Sequence, residues 1–522
     1  METVIVIGGG ASGLIAALTA AEDKSRRVIV LERQQRIGRK LLATGNGRCN
    51  LTNTGASPEN YHGENPAFAV PALEKFPPEK ALEYFHSLGL VTVEEYGGRV
   101  YPLSNSANSV LDVLRFALEQ SGVEVKSATS AREIYRDDTG WAVVTDSETL
   151  HCDKLIVACG GAAGAKLGGV SDGYELLKPL GHKRTGLYPS LVQLITEPEY
   201  PRSLKGVRAD CRLRLFSGGE VLAESRGELQ FTDNGVSGPA AFDVSRAAST
   251  GGNGLSIEAD FFANYSAEDV TAMLRQRREK LPELTATDIL AGMLHNRLGK
   301  MLVKYTALDA NAPIKTLTDR QLTALARACK GFRLKLLGTE GFDNAQVTAG
   351  GIRTGGFNPD TLESWFMPGL FVCGELLDID GDCGGYNLQW AWASGRLAGG
   401  LGLCYLCAIC ALIRARTYRA SPPRLQKSSA SVRLTLRSAA SSSVRSMRER
   451  KMTFTIPAPP LSLSAPGRIS FLPVLPGRTS AHIPSLSMTF HTSKQLPVPS
   501  SSASALPGCS RRWCLPVPVQ GR

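Results

Sequence analysis

The apolar residues near the start of the chain change from a continuous run to a helical spacing. Residues 4–7 form a short run of β-branched residues, which predicts a buried strand. Leu14, Ala17 and Leu18 then recur at helical spacing, and a second apolar run over residues 28–31 predicts a second strand. The beginning of the chain therefore predicts a strand–helix–strand unit of the kind found in parallel sheets.

Strands and helices continue to alternate up to about residue 190. The predicted elements are helices over residues 71–88 and 109–120, strands over 123–135 and 141–145, and a buried strand from residue 154 that ends on glycines 160 and 161. Residues 343–400 return to the same pattern of strand, turn and helix, and their last predicted helix covers residues 387–398. We therefore expect residues 1–190 and 344–400 to form one discontinuous domain.

The segment between these two parts has a different pattern. From about residue 191 to 265, apolar residues alternate with period two, as in half-exposed antiparallel strands. Residues 266–330 become helical, with Ser266 and the pair Thr318 and Gln321 as capping signals. The prediction is an α/β fold in which a β-rich insertion (191–265) and a helical insertion (266–343) interrupt the first domain.

The last part of the chain differs from the rest in composition. Residues 401–522 hold 17 of the 59 Lys and Arg residues, one acidic residue (Glu449) of 48, and 14 of the 29 prolines. We expect this basic Pro-, Ser- and Arg-rich tail to be disordered, because too little apolar surface is available to offset its ordering entropy. The tail is either native or a frame-shifted or read-through product.

The net charge of +11 belongs to this tail, since residues 1–400 hold 42 basic and 47 acidic side chains. The acidic balance of that part argues against a nucleic-acid partner. Its seven cysteines follow no framework spacing, so we expect reduced thiols.

A core strand begins by residue 4, and the longest apolar stretch (401–413) is too short for a bilayer. We therefore expect no signal peptide, no membrane segment and a cytoplasmic location.

Glycines connect the first predicted strand to the first helix. Residues 8–13 read Gly-Gly-Gly-Ala-Ser-Gly and fit G-x-G-x-x-G. Glu32 ends the second strand about 20 residues on, which is the spacing of the dinucleotide fingerprint. Gly8 allows the tight turn, Gly10 lets the backbone approach a pyrophosphate, and Gly13 lets the helix pack on the strand. We expect the helix N-terminus to face the phosphates and Glu32 to accept hydrogen bonds from the ribose.

Later segments help to distinguish NAD from FAD as the dinucleotide. An FAD enzyme needs distant segments that reach along the cofactor to its ring. The chain offers, in order, residues 158–161, Asp172 with Gly173, Gly374 with Glu375, and residues 384–388. We expect Glu375 to accept hydrogen bonds from ribityl hydroxyls, and the amides at the start of the last helix to face the O2 edge of the flavin. Each segment alone is a common turn, but together they favour FAD.

The sequence resembles a family of bacterial flavoproteins. The resemblance is carried by residues 38–50 (GRKLLATGNGRCN), 231–240, 347–351 and 374–391. These segments are similar to those of the BaiN-like flavoproteins, also called aminoacetone-oxidase-like or NAD(P)/FAD-dependent oxidoreductases. The resemblance covers about residues 1–400 and implies a Rossmann-like FAD-binding domain with a β-barrel-like and a helical insertion. It also implies an oxidoreductase, some of whose relatives act on a C=C bond next to a carbonyl in steroid-like substrates.

The predicted site is therefore an FAD site without a metal, and no catalytic residue is singled out. The predicted cofactor-binding residues are Gly8, Gly10, Ala11, Ser12, Gly13, Glu32, Arg39, Lys40, Leu41, Thr44, Asn46, Asn50, Ala158, Gly160, Gly161, Asp172, Gly374, Glu375, Gly384, Gly385, Asn387 and Leu388. No second complete fingerprint is present, so NADH or NADPH is expected only as a reductant that docks transiently at the flavin.

Several other residues have both a functional and a structural interpretation. They are Cys373 and Cys383 (redox pair or inert thiols), His182 (proton donor or helix end), Tyr188 and Tyr386 (proton donors or packing), Ser237 to Pro239 (anion-binding edge or helix cap), Arg353 (substrate carboxylate or solvent) and Cys404, Cys407 and Cys410 (iron–sulfur spacing or chance).

The prediction is an FAD-dependent oxidoreductase that transfers a hydride to or from a small organic substrate. The alternatives are an RNA-modifying flavoprotein and a non-catalytic flavin-binding regulatory module.

Overall fold

The structure is a computed structural model that describes residues 1–402 and two strands of the tail. These two strands, Ala430–Leu434 and Met452–Ile456, pair antiparallel. The rest of the tail, and with it both the prediction of disorder and the cysteine spacing at 404–410, lies outside the described residues.

A five-stranded parallel sheet forms the centre of the first predicted domain. Its strands lie in the order Leu370–Val372, Lys154–Val157, Glu2–Ile7, Arg26–Leu31 and Glu124–Lys126. Val4 in the middle strand is opposite Val28 on one side and Lys154 on the other. Val4, Ile5 and Val6 are all fully buried, as expected for a parallel sheet that is covered on both faces. This is the predicted α/β arrangement.

The first and last helices of the described region pack closely because glycines line their contact. A Cβ on Gly395 would lie 2.4 Å from the carbonyl oxygen of Ser12, and a Cβ on Gly399 would lie 2.4 Å from that of Ala16. Any larger residue at these two positions would force the helices apart. The contact holds the last helix, which follows Gly385, against the first helix, which follows the glycine turn.

The helices largely follow the predicted pattern. Within residues 1–402 they are Ala11–Ala20, Arg39–Ala43, Val70–Lys75, Pro78–Ser87, Ala107–Ser121, Asp172–Leu177, Glu199–Ser203, Pro239–Thr250, Ala267–Lys280, Asn296–Tyr305, Asp319–Lys330 and Tyr386–Gly399. The single helix predicted over residues 71–88 is wrong. The chain leaves the helix at Phe76 (φ −135°, ψ 68°) and begins a second one at Pro78, since Pro77 and Pro78 lack the N–H groups that a continuous helix needs.

Smaller antiparallel sheets surround the central sheet. They consist of Thr149–Cys152, Gly140–Thr145 and Ala131–Asp137; Thr52–Asn53, Arg99–Pro102 and Thr92–Glu95; Tyr188–Ser190 and Val347–Ala349; and Asp380–Gly381 with Tyr61–His62. The strand predicted over residues 123–135 is therefore two strands in different sheets. Between them Ala128 has a φ of 53°, and its N–H donates to the carbonyl oxygen of Gln34, so the chain turns across the end of the second central strand.

The predicted β-rich insertion supplies five of the six strands of a closed barrel. Its strands are, in order around the barrel, Leu194–Thr196, Gly235–Ser237, Glu220–Phe231, Arg208–Ser217, Leu255–Asp260 and Phe332–Thr339. The last of these strands comes from the segment that was predicted as the helical insertion. Both capping signals are confirmed, because Ser266 and Thr318 accept hydrogen bonds from the amides of Asp269 and Gln321. None of the helices in the described part of the chain has the length and hydropathy for a membrane crossing.

Candidate cofactor and substrate site

A cavity of about 510 Å³ lies at the carboxyl edge of the central sheet. Ile7, Leu31 and Ala158, which end or directly follow three of the parallel strands, all line it. This edge is where open α/β sheets bind their ligands. All the predicted cofactor-binding residues line this cavity except Gly13 and Gly374. The fold therefore brings together residues from both ends of the first predicted domain.

The glycines of the turn differ in what surrounds them. Gly8 has a φ of +111°, and a Cβ there would lie 2.4 Å from the carbonyl oxygen of Ala158. A Cβ on Gly13 would lie 1.9 Å from the carbonyl oxygen of Gly8, so Gly13 keeps the first helix against the turn. Gly10 and Gly160, by contrast, have no atom within 4 Å of an added Cβ. They leave bare backbone facing open space, which is the cradle that a pyrophosphate needs.

Glu32 is fixed at the cavity wall by the backbone. Its Oε2 accepts a hydrogen bond of 2.8 Å from the N–H of Gly9, and its Oε1 accepts one of 2.7 Å from the N–H of Gln34. A carboxylate has capacity for further hydrogen bonds beyond these two. Glu32 can therefore bind the hydroxyls of a ribose while its orientation is held by the turn.

An ion pair connects the short helix Arg39–Ala43 with the segment that follows the edge strand Leu370–Val372. Lys40 Nζ lies 2.7 Å from Glu375 Oε2, and Glu375 Oε1 accepts a hydrogen bond of 2.8 Å from the N–H of Thr348. Both charged side chains are half-buried and line the cavity. The pair places a cation and an anion side by side at the cavity wall. Gly374, which does not line the cavity, approaches Ser12, whose Oγ would lie 2.3 Å from an added Cβ.

The start of the last helix forms the other end of the site. Gly384 and Gly385 have φ values of +139° and +106°, which favour glycine. The side chain of Asn387 accepts a hydrogen bond from the N–H of Gly381 at 2.8 Å and donates one to its carbonyl oxygen at 2.7 Å, so it fixes the preceding turn. Asn50 Oδ1 is buried without a hydrogen-bond partner in the described part of the chain. It is an acceptor available to a ligand N–H group.

These features fit the predicted cofactor. The bare glycine turn suits a pyrophosphate, Glu32 suits a ribose, and the buried acceptor of Asn50 suits the N–H edge of a flavin ring. The role of each individual residue remains a prediction.

Other residues of the cavity lining are not among the predicted cofactor-binding residues. Arg48, Arg99 and Tyr101 come from the loop and strand beside the Gly384 turn, and Arg208 and Phe242 come from the barrel region. The guanidinium of Arg48 lies 4.0 Å from the centre of the Tyr101 ring. Arg99 and Tyr101 alternate on one strand, a signal that would have identified them if that strand had been predicted.

The other sequence candidates have different positions. Ser237, Gly238 and Pro239 line the cavity, although the helix cap is Gly238 (φ 93°) rather than Ser237. Cys383 lines the cavity, whereas Cys373 is fully buried; burial raises the pKa of both thiols to about 12. Neither forms a disulfide.

The remaining candidates lie outside the cavity lining. His182 is buried against Phe357, with ring centres 4.4 Å apart, and burial lowers its pKa to about 4. Arg353 forms an exposed ion pair with Glu64 at 3.1 Å. Tyr188 is 41% exposed, and Tyr386 packs edge-on against Tyr61.

The family described as the HI0933-like protein Rossmann domain matches residues 2–401. The chain belongs to this family. It is 41% identical over 403 residues to the 3-dehydro-bile acid delta(4,6)-reductase of Clostridium scindens, a match that covers 76% of this chain and 98% of that relative. The ribosomal RNA dihydrouridine synthase of Escherichia coli is 30% identical over 398 residues, or 75% of this chain and 95% of that relative. The corresponding enzyme of Haemophilus influenzae is 27% identical over 396 residues, or 75% of this chain and 96% of that relative.

Membership of the HI0933-like family confirms the predicted resemblance, fold class and cofactor. The chain is an FAD-dependent oxidoreductase with a Rossmann-type domain. The match ends at residue 401, so the basic tail has no part in the likeness.

Proposed function

We propose that this oxidoreductase reduces a C=C bond conjugated to a carbonyl in a small polycyclic ketone, with NADH or NADPH as the reductant. The relative that is 41% identical is named as a reductase of a 3-dehydro-bile acid. The proposal extends that substrate class to this chain.

The observation that carries the proposal is the continuity of one cavity between the two parts of the structure that a redox reaction needs. One side is formed by the glycine turn, Glu32 and the Lys40–Glu375 pair, where we place the cofactor. The other side is formed by Arg208, Gln230 and Phe242 of the barrel region. A substrate between them would contact both.

Different residues of the chain would bind different parts of the cofactor and substrate. The turn from Gly8 to Gly13 and Glu32 would hold the adenosine and pyrophosphate, and residues 384–388 with Asn50 would hold the ring. FAD, when bound there, supplies hydride transfer between a nicotinamide and an organic substrate. The amides at the start of the last helix would stabilise negative charge near them, since a helix N-terminus carries a partial positive charge. The apolar ring of Phe242 would contact the body of the substrate.

Turnover of a conjugated ketone tests the proposal. The full-length protein would be mixed anaerobically with NADH or NADPH and then with testosterone, in which a C=C bond is conjugated to a ketone. We expect the flavin band to bleach with the nicotinamide and to recover with testosterone, and the saturated ketone to be found by mass spectrometry. Dihydrotestosterone, which lacks the C=C bond, is the matched control. Bleaching that neither testosterone nor a related conjugated ketone reverses would contradict the proposed substrate class.

A second candidate function is the synthesis of dihydrouridine in ribosomal RNA. It is favoured by the likeness to two ribosomal RNA dihydrouridine synthases over nearly their whole lengths. Conversion of uridine to dihydrouridine also adds two hydrogens to a C=C bond next to a carbonyl, so the same site chemistry would serve. The net negative charge of residues 1–400 weighs against an RNA partner. Formation of dihydrouridine in unmodified ribosomal RNA, measured by mass spectrometry, would favour this function over the first.

A further inference from the structure

The cavity wall beside the Gly384 turn contains two polar side chains on one short strand. Arg99 and Tyr101 lie in the strand Arg99–Pro102 and both line the cavity. Since successive side chains of a strand alternate between its faces, residues 99 and 101 share one face, while Val100 between them is buried on the other. The strand therefore presents a guanidinium and a phenol to the same part of the cavity.

The strand is fixed to the start of the last helix. Its neighbour Asn53 donates hydrogen bonds of 3.0 Å from Nδ2 to the carbonyl oxygens of Gly384 and Gly97. Nε of Arg99 lies 3.4 Å from the position that a Cβ on Gly384 would occupy. Arg99 is thus held beside the turn where we place the reactive end of the cofactor.

Arg99 differs from two other arginines of the wall in its partners. Arg48 forms an ion pair with Glu95, and Arg208 lies 3.4 Å from Glu228. In contrast, Arg99 has no ion pair with any acidic side chain in the part of the chain that the structure describes. Asp243, a half-buried acid nearby, accepts hydrogen bonds from the N–H of Cys383 at 2.9 Å and from Ser225 Oγ at 2.9 Å. A half-buried guanidinium without a carboxylate is suited to bind an oxygen of a ligand.

Tyr101 has the features of a proton donor. Only 9% of the residue is exposed, and its hydroxyl has no hydrogen-bond partner among the described residues. The guanidinium of Arg48 lies 4.0 Å from the centre of its ring. Burial is the largest cause that raises the pKa of its phenol above the ordinary value; Glu95 and Cys383 act in the same direction, and Arg99 and Arg48 oppose them. The hydroxyl therefore keeps its proton until a basic atom of a ligand approaches, and the two guanidinium groups offset part of the cost of the tyrosinate that proton donation leaves.

We propose that Arg99 binds the carbonyl oxygen of the substrate and that Tyr101 donates the proton that completes the reduction. This inference rests on the proposed function. A hydride derived from NADH or NADPH adds to the β-carbon of the C=C bond in the second half of the reaction, and the displaced electron pair moves to the carbonyl oxygen as an enolate. Arg99 stabilises this negative charge. The α-carbon of the enolate then takes the proton of the Tyr101 hydroxyl, and the tyrosinate regains a proton from water. The overall reaction consumes one hydride and one proton.

The oxyanion role of Arg99 is tested without turnover by the binding of equilenin. The naphthol of this steroid imitates an enolate when ionised, and its fluorescence distinguishes the ionised from the neutral form. We expect the oxidised holoenzyme to bind equilenin in its ionised form at a pH where free equilenin is neutral. The R99Q variant should bind it about tenfold more weakly and in its neutral form, while R99K should retain part of the ionisation. R353Q, which removes an exposed arginine outside the cavity lining, is the matched control.

Kinetics separate the role of Tyr101 from binding. We expect Y101F to be reduced by the nicotinamide at the wild-type rate but to transfer the hydride to testosterone about 10²–10⁴-fold more slowly. R99Q should be slower in the same step by about 10²–10³-fold. Y96F, which alters a tyrosine that is 97% exposed in the same hairpin, should match the wild type. FAD content and melting temperature identify any variant that fails to fold, and R99K then replaces R99Q.

The outcomes distinguish the inference from the proposed function. If wild-type protein reduces the conjugated ketone, but R99Q binds ionised equilenin as R353Q does or Y101F transfers hydride as Y96F does, the assigned roles are wrong. If the wild type reduces no conjugated ketone, the proposed function fails and the inference falls with it.

Discussion

The ammonium group of Lys40 lies 2.7 Å from the carboxylate of Glu375, although 335 positions separate the two residues in the chain. The pair joins the short helix Arg39–Ala43, which follows the first strand–helix–strand unit, to the segment after the edge strand Leu370–Val372 of the central sheet. Both partners are partly shielded from solvent, with 30% and 20% of their side-chain surfaces exposed. The site therefore depends on contact between the two ends of the FAD-binding domain.

Breaking this pair should weaken cofactor binding. We expect K40M to raise the dissociation constant for FAD about tenfold, because Glu375 would keep its charge inside the cavity without a partner. The measurement is a titration of apoprotein with FAD, followed by flavin fluorescence. K178M, which removes an exposed lysine paired with Glu175, should bind FAD as the wild type does. An unchanged affinity in K40M would show that the pair does not contribute to the site.

The glycines of the turn should separate folding from binding. G13A should lower the melting temperature of the apoprotein by several degrees, because its Cβ would lie 1.9 Å from the carbonyl oxygen of Gly8. G10A meets no atom within 4 Å and should leave that temperature unchanged. Its methyl group would nevertheless occupy the open space where we place the pyrophosphate, so FAD affinity should fall at least about tenfold. Wild-type affinity in G10A would place the phosphates elsewhere.

The buried histidine should make stability fall in mild acid. Burial lowers the pKa of His182 to about 4, below its ordinary value of about 6.5 in an unfolded chain. Between these values the unfolded state binds more protons, so the free energy of unfolding decreases as the pH falls from about 6.5 towards about 4. The full contribution, roughly 3 kcal/mol, is present above about pH 6.5.

Replacement of His182 by Phe should flatten this dependence. Phe retains the stacking on Phe357 but cannot be protonated, although it loses the 3.0 Å hydrogen bond to Ser364. The measurement is the difference in unfolding free energy between pH 7 and pH 5 for the wild type and for H182F. A pH dependence of equal size in both proteins would assign the acid sensitivity to other groups.

An ion pair between a half-buried arginine and a buried aspartate joins the helix Pro239–Thr250 to the segment before the last helix. Arg246 Nε lies 2.8 Å from Asp380 Oδ2, and only 1% of the Asp380 side chain is exposed. R246M would leave this carboxylate buried without its partner, so we expect a loss of about 3–5 kcal/mol in the free energy of unfolding. The double variant R246M/D380N should recover part of the loss. A double variant no more stable than R246M alone would show that the unpaired charge is not the cause.

The sequence was most informative where function depends on local backbone. The glycine turn, Glu32 and the Gly384 turn could be predicted because each needs a glycine or an acid at a fixed place after a strand. Arg99 and Tyr101 could not, because their position depends on the pairing of a short strand with residues 52–53 and 92–95. No sequence motif within residues 99–102 indicates which distant strands they pair with.

The same limit explains the errors in secondary structure. The apolar spacing of residues 71–88 continues across Pro77, so periodicity alone favoured one helix where proline chemistry requires two. The barrel is closed by the strand Phe332–Thr339, which pairs with Leu194–Thr196 and Leu255–Asp260. Pairing between segments so far apart in the chain cannot be inferred from the alternation of residues within one segment.

Release and identification of the bound cofactor test the central claim most directly. The purified full-length protein would be denatured, and the released compound would be separated and compared with FAD, FMN and the nicotinamide dinucleotides by chromatography and mass. We predict FAD in an amount equimolar with folded protein, and a smaller amount from the G10A variant, which should remain folded. Well-folded protein that releases no FAD and cannot be reconstituted with it would contradict the account.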